Sequence, residues 1–282
     1  MTSGTLLSLG HGYTAQALAR RLLPEGWRIV GTTRTEGQAQ ALRGTGAEVV
    51  VWPGADLAPL VARASHVLMS MAPGPGGDPV LTAHPDLFRQ APVVWAGYLS
   101  TTVVYGDHAG AWVDETTPPT PGNARGRQRL LAEGQWAATG LPLHVFRLAG
   151  IYGPGRGPFE KVREGTARRI IKPGQVFGRI HVDDIAQVLA ASMAAPAPGT
   201  VYNVCDDDPA PPQDVIGHAA ALLGLPPPPA VAYEDADLTP MGRSFYEESK
   251  RVRNDRIKHA LGVRLLYPTY REGLAALLRD GG

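Results

Sequence analysis

The chain has 282 residues, with 27 Lys and Arg against 26 Asp and Glu, a length that suits one large domain with a lobe and a charge balance with no net field to draw nucleic acid or an anionic membrane. Its single cysteine, Cys205, excludes an internal disulfide and a thiolate zinc cluster. No apolar run is long enough to span a bilayer and the first residues lack the order of a secretory leader, so a cytoplasmic protein acting on a small molecule is expected, with no nucleic-acid or membrane partner.

The first element is the most specific. Leu6-Leu7-Ser8-Leu9-Gly10-His11-Gly12-Tyr13-Thr14-Ala15 reads as a buried strand turning through glycines into a helix over 14–23. Gly10 permits the tight turn, Gly12 lets backbone approach a pyrophosphate, and Ala15 allows the helix to pack on the strand; the amides around Tyr13 and Thr14 would face the phosphates. A structural strand-to-helix turn can use the same glycines, and that reading stays open at this point. Strands follow at 27–32, 47–51, 66–70, 93–97 and 143–147, apolar almost throughout and separated by helical stretches. That order predicts an α/β protein with a doubly wound parallel sheet covered on both faces.

The second strand ends Gly31-Thr32-Thr33-Arg34 without a carboxylate. An acidic residue there favours NAD, whereas Thr33 and Arg34 suit the extra phosphate of NADP; NADP is therefore expected, with NAD the alternative and a solvated surface arginine the plainer reading. Ala72 and Pro73 follow the fourth strand, where the middle of a dinucleotide lies. The Gly- and Pro-rich run over 73–79 reads as a surface loop or a lid. Beyond residue 151 the pattern loosens into a loop at 153–158, a helix over 182–193 and a strand over 201–204, and Pro226–Pro229 reads as a stiff connector. Asp206-Asp207-Asp208 reads as a solvated turn, and no metal is predicted.

Three later segments carry a pattern together: Ser100-Thr101-Thr102-Val103-Val104-Tyr105-Gly106, Arg147 through Ile151-Tyr152-Gly153-Pro154-Gly155-Arg156, and Arg179-Ile180-His181-Val182-Asp183-Asp184. With Lys250 through Gly262 near the end, they resemble the extended short-chain dehydrogenase/reductases, the NAD-dependent epimerase/dehydratase group. The resemblance implies a Rossmann-type domain over 1–155 rejoined by 179–204, a substrate lobe over 156–178 and 205–282, and a homodimer through the helix near 125–138. It implies that Asp56 meets the adenine, unless that residue is a helix cap, and that Tyr152, Arg156, His181 and Arg253 face the substrate, a small carbonyl compound or a nucleotide-sugar.

Members of the group use a Ser or Thr four residues before the Tyr of the Val-Tyr-Gly segment, which is Thr101 here with Ser100 beside it, and a Tyr-x-x-x-Lys pair on the next helix. Counting back from Glu133 puts Arg125 and Arg129 at the pair's positions. Arginine stays protonated, so Arg129 can replace the lysine in holding a ribose, but neither residue can shuttle a proton. Tyr105, Tyr98, His181 and the hydroxyls of Ser100 and Thr101 are the substitute proton carriers the sequence offers. The expectation is an atypical NADP-dependent oxidoreductase or epimerase, with a non-catalytic NADP(H)-binding sensor as the alternative.

Overall fold

The computed structural model describes residues 3–279 and 281. In chain order its elements are β1 (Thr5–Leu9), α1 (Tyr13–Leu22), β2 (Arg28–Thr33), α2 (Glu36–Arg43), β3 (Glu48–Val51), α3 (Ala58–Ala62), β4 (His66–Met69), α4 (Pro79–Ala83), β5 (Trp95–Thr101), β6 (Trp112–Val113), α5 (Ala124–Ala137) and β7 (Leu143–Leu148). There follow β8 (Gly150–Tyr152), α6 (Phe159–Arg163), β9 (Arg169–Ile171), β10 (Arg179–His181), α7 (Val182–Ala194), β11 (Val201–Val204), α8 (Pro212–Leu222), β12 (Ala230–Ala232), α9 (Pro240–Ser244), β13 (Arg251–Val252), α10 (Asp255–Leu261) and α11 (Tyr270–Arg279).

Seven strands form one parallel sheet in the order β11-β7-β5-β4-β1-β2-β3, the expected doubly wound arrangement. Alternation along each strand explains why both faces are apolar. Leu6 points to the face covered by α1, α7 and α10, where Ala15, Leu18, Ile185, Leu189 and Ile257 pack. Leu7 and Leu9 point to the other face, where Leu60, Val80, Ala132 and Trp136 of α3, α4 and α5 close the layer. The strand order reverses at β1, between β2 and β4, which opens a crevice at the carboxyl edge.

Two expectations change. β5 begins and ends later than the 93–97 read from its apolar run, because Ser100 and Thr101 are polar yet continue the ladder opposite Arg147 and Leu148. The stretch 205–282 is not one lobe. α6, α8 and α11 share a separate small core around Phe159, Val215, Tyr270 and Leu274, whereas Ile257 and Val263 belong to the core of the large sheet.

His66 sits at the start of β4, edge-on to Trp27 with ring centroids 4.7 Å apart and its Nδ1 2.9 Å from the Ser65 hydroxyl. Burial lowers its pKa from 6.5 to about 4, so the folded chain keeps the ring neutral where the unfolded chain takes up a proton. Its contribution is intact above pH 6.5 and is lost as pH falls toward 4. In urea unfolding across this range, His66→Phe is expected to remove about one proton from the slope of stability against pH.

Candidate functional site

The turn after β1 is built around an empty approach to a helix terminus. Gly10 has a φ of +84°, and a Cβ there would meet the Met71 Cγ at 2.9 Å. The Gly10 amide donates to the Thr32 hydroxyl at 2.8 Å and the His11 amide to the Thr32 carbonyl at 2.8 Å, which fixes the turn against β2. Gly12 then caps α1 without any side-chain hydrogen bond, and a Cβ added to it would have only the Gly10 carbonyl within 4 Å. The amides of Tyr13, Thr14 and Ala15 therefore open the helix toward free space, an arrangement that favours an anion. The structure places Gly10, Gly12, Tyr13, Thr14 and Ala15 together at this turn and the first turn of α1.

His11 turns the other way. It is buried against β2, where a Cβ on Gly31 would lie 2.6 Å from the His11 Cβ, and burial lowers its pKa to about 4. Sequence reasoning missed this pair; the signal was the glycine inside an otherwise apolar strand.

At the end of β2, the Thr33 hydroxyl donates to the Thr35 carbonyl at 3.1 Å, and Thr35 caps α2. Glu36, the nearest carboxylate, pairs with Arg43 at 2.7 Å. Arg34 is exposed and, among the described residues, carries no hydrogen bond or ion pair. Asp56 accepts from the Ala58 amide at 3.0 Å, so it fixes the entry to α3, and it also lines a cavity of about 700 Å³ with Trp52, Gly54, Gly74, Gly77 and Thr82. Ala72 and Pro73 stand between β4 and that cavity's glycine wall. The 73–79 run is anchored: Gln135 accepts from the Asp78 amide at 2.7 Å and donates to the Gly76 carbonyl at 2.9 Å, and Trp136 donates to the Asp78 carboxylate at 2.9 Å.

α5 delivers Arg129 to the carboxyl edge. Its guanidinium donates to the Leu99 carbonyl at 2.8 Å, to the Met71 carbonyl at 3.3 Å and to the Tyr98 hydroxyl at 3.3 Å. These partners are neutral, so its charge is not cancelled by them. Burial pushes Tyr98 up to about 12, which keeps its phenol protonated. Arg125, one turn earlier, stacks over Phe245 at 5.2 Å, while Arg127 donates to the Gly122 carbonyl on the exposed side. Thr101 is half-buried at the end of β5; its oxygen accepts from the Val103 amide at 3.3 Å, which leaves its own O–H to donate elsewhere.

Three of the expected proton carriers, Ser100, Tyr105 and His181, lie in the interior. Ser100 is 4% exposed and donates to Glu133 at 2.5 Å on the side of β5 away from Thr101. Glu133 is paired with Arg147 at 2.8 Å, Arg147 stacks on the Tyr105 ring at 4.9 Å, and the buried Tyr105 hydroxyl donates to Asn203 at 2.8 Å. Ser100 and Tyr105 thus belong to an interior network. His181 is also buried, its Nδ1 accepts from the Asp183 amide at 3.2 Å to cap α7, and its ring packs against Tyr152 and Tyr267.

Of the expected substrate residues, Tyr152 and Arg156 line one cavity. Arg156 also stacks over Tyr13 at 4.3 Å, and the Tyr13 hydroxyl donates to the Pro154 carbonyl at 3.0 Å. Arg253 does not join them: it is exposed, over the Trp112 ring at 5.1 Å and 3.8 Å from Asp255. The three consecutive aspartates diverge, with Asp207 on Asn254 and Lys258, Asp208 on Arg271, and Asp206 buried. Cys205 is a core residue whose thiol donates to the Val252 carbonyl at 3.2 Å.

Comparison with known proteins places this geometry. No family model matches the chain. It is 31% identical over 238 residues to Protein YeeZ of Escherichia coli strain K12, covering 78% of this chain and 84% of that one. It is 29% identical over 281 residues to a 3-diazoavenalumate denitrifying reductase of a Streptomyces species, covering 94% and 77%. Among solved structures, a conserved protein of unknown function from Silicibacter pomeroyi DSS is 66% identical with a TM-score of 0.94 over 99% of both chains. A protein provisionally named an NAD-dependent epimerase/dehydratase, from Methylobacillus flagellatus, is 27% identical with a TM-score of 0.74, again over 99% of both chains.

The Glu133–Arg147 pair yields a stability test. Glu133→Gln leaves Arg147 buried without its counter-charge and is expected to lower the unfolding free energy by about 3–5 kcal/mol, read by urea denaturation.

Proposed function

The chain belongs to the extended short-chain dehydrogenase/reductase, or NAD-dependent epimerase/dehydratase, family, and on that premise we propose that it is an atypical NADP-dependent oxidoreductase or epimerase acting on a small carbonyl or nucleotide-sugar substrate. The observation that carries this reading is the open, uncapped terminus of α1 behind Gly12, with the uncancelled guanidinium of Arg129 at the same sheet edge. A nicotinamide dinucleotide, when bound there, supplies or accepts a hydride. The residues fit it: the amides of Tyr13, Thr14 and Ala15 for the pyrophosphate, Arg34 and Thr33 for a ribose phosphate, Asp56 and the glycine-walled cavity beside it for the adenine, and Arg129 for the second ribose.

The residues at the sheet edge divide the remaining work. Thr101 can donate its O–H to a substrate carbonyl while the Val103 amide holds its oxygen in place. Arg129 can stabilise negative charge developing on that oxygen or hold the ribose, but its proton stays on the guanidinium. Tyr98 enters only through the hydrogen bond that positions Arg129. The reductase relative, similar over most of the chain, supports turnover rather than binding alone.

The second reading is a protein that binds NADP(H) without turnover and acts as a sensor or interaction module. It is favoured by two facts: α5 carries neither Tyr nor Lys, and Ser100 and Tyr105 are committed to the interior.

Fluorescence titration separates the cofactor question from the catalytic one. The protein is expected to bind NADPH more tightly than NADH, and Arg34→Ala to weaken NADPH at least about ten-fold while leaving NADH unchanged, since one charge-assisted phosphate contact is lost. An NADH preference in the parent protein would overturn the role given to Arg34. On a panel of carbonyl compounds and nucleotide-sugars, Thr101→Ala is expected to lower cofactor oxidation about 10²-fold with NADPH binding intact. A parent protein that binds NADPH and is silent across the panel would favour the sensor.

A further inference from the structure

Arg125 and Arg129 stand four residues apart and so share one face of α5, while Arg127 points to the exposed side. The start of the helix fixes where Arg125 lies. A Cβ on Gly126 would be 2.7 Å from the Pro121 Cβ and 3.1 Å from the Val103 carbonyl oxygen, so α5 begins hard against the turn Thr102–Tyr105. The Val103 amide is also the donor to the Thr101 oxygen, which puts Arg125 and Thr101 on the two sides of one contact. Arg125 reaches solvent and, among the described residues, has no hydrogen bond and no ion pair; the Phe245 ring, 5.2 Å away, covers its guanidinium. Phe245 is held there by its neighbours. The Ser249 amide donates to Asp107 at 2.7 Å, and Gln175 donates to the Glu248 carbonyl at 2.7 Å.

The surrounding carboxylates are engaged elsewhere. Glu248 accepts from the Lys250 ammonium at 2.7 Å and from the Asn123 amide at 2.9 Å, Asp78 accepts from the Trp136 indole and the Val80 amide, and Glu133 is paired with Arg147. Arg129 uses Nη1 alone for its three neutral partners, so its Nη2 and Nε have none among the described residues. Two like charges one turn apart on a helix repel, and partial desolvation followed by the charge of Arg129 lowers the pKa of Arg125. Such a pair at an open sheet edge is compensated by an anion from outside. We propose that the carbonyl substrate of this site carries an oxyanion, a carboxylate or a phosphate, and that the guanidinium of Arg125 binds it, with Arg129 adding charge from the next turn. The fork of a guanidinium offers either group two parallel hydrogen bonds. The inference rests on the reading of Thr101 as the donor to the substrate carbonyl: β5 then acts on the reacting end, and α5 selects the molecule by its charged end.

Calorimetric titration of the whole protein in the presence of NADP+ compares 4-formylbenzoate, 4-formylphenyl phosphate and the neutral 4-formylbenzamide, with pyruvate and pyruvamide as a smaller pair. An anion is expected to bind at least about ten-fold more tightly than its amide, and the two aromatic anions tell carboxylate from phosphate. Arg125→Gln is expected to remove that preference with NADPH binding unchanged. Arg127→Gln deletes the same charge from the exposed side of the same helix and is expected to keep the preference within about two-fold. Equal binding of anions and amides by a protein that binds NADPH, a preference that survives Arg125→Gln, or an equal loss in Arg127→Gln would overturn the proposal and leave the dinucleotide reading standing. A protein that fails to bind NADPH yet keeps an Arg125-dependent preference would overturn the dinucleotide reading alone.

Discussion

One buried ion pair organises this molecule. Glu133 and Arg147 are both almost wholly excluded from solvent, and each reaches a second element: Glu133 accepts a hydrogen bond from the Ser100 hydroxyl of β5, and Arg147 carries the ring of Tyr105 on its face. Through Tyr105 the chain of contacts runs on to Asn203 in β11, whose amide in turn donates to Glu115 at 2.8 Å. Two charges withdrawn from water are tolerated only because their lone pairs and protons are satisfied by these neighbours. The result is that α5 is held in register over β5 and β7, and the position of Arg129 on α5 follows from that register.

The same economy separates interior chemistry from edge chemistry along β5. Successive side chains leave a strand on opposite faces, so Ser100 faces the ion pair while Thr101 stands at the crevice. Neighbouring hydroxyls in sequence therefore have unrelated duties. Arg129 is fixed by carbonyls and a phenol rather than by a carboxylate, which preserves its positive charge at the place where strand order reverses. The glycine turn adds the partial charge of α1 from the other side of that crevice.

Much of this was legible in the sequence, for reasons that also explain the misses. The apolar runs of β2, β3, β4, β7 and β11 declared a parallel sheet because strands buried on both faces have no polar register to disguise them. Gly10 fixes the turn because its positive φ and the closeness of Met71 leave no room for a Cβ. Legibility failed where polar side chains are interior: Ser100 and Thr101 shortened β5 on paper, and Ser100, Tyr105 and His181 were read as reactive because residue type and spacing say nothing about which side of a strand faces solvent. It failed again at α10, whose apolar residues could cover either core, and at Arg253, whose stacking partner Trp112 is remote in sequence. His11 packed against Gly31 escaped notice since a glycine inside a strand signals a close approach without saying which side chain makes it.

Tyr13 belongs to two structures at once. It is the first residue of α1, beside the open helix terminus, and its phenol and ring hold the loop at Pro154 and Arg156 that leads into the small core. A Cβ on Gly153 would lie 2.5 Å from the Tyr13 hydroxyl, so the two surfaces touch with no slack. The first turn of α1 and the loop at 153–156 therefore form one mechanical unit, and a displacement of either is passed directly to the other.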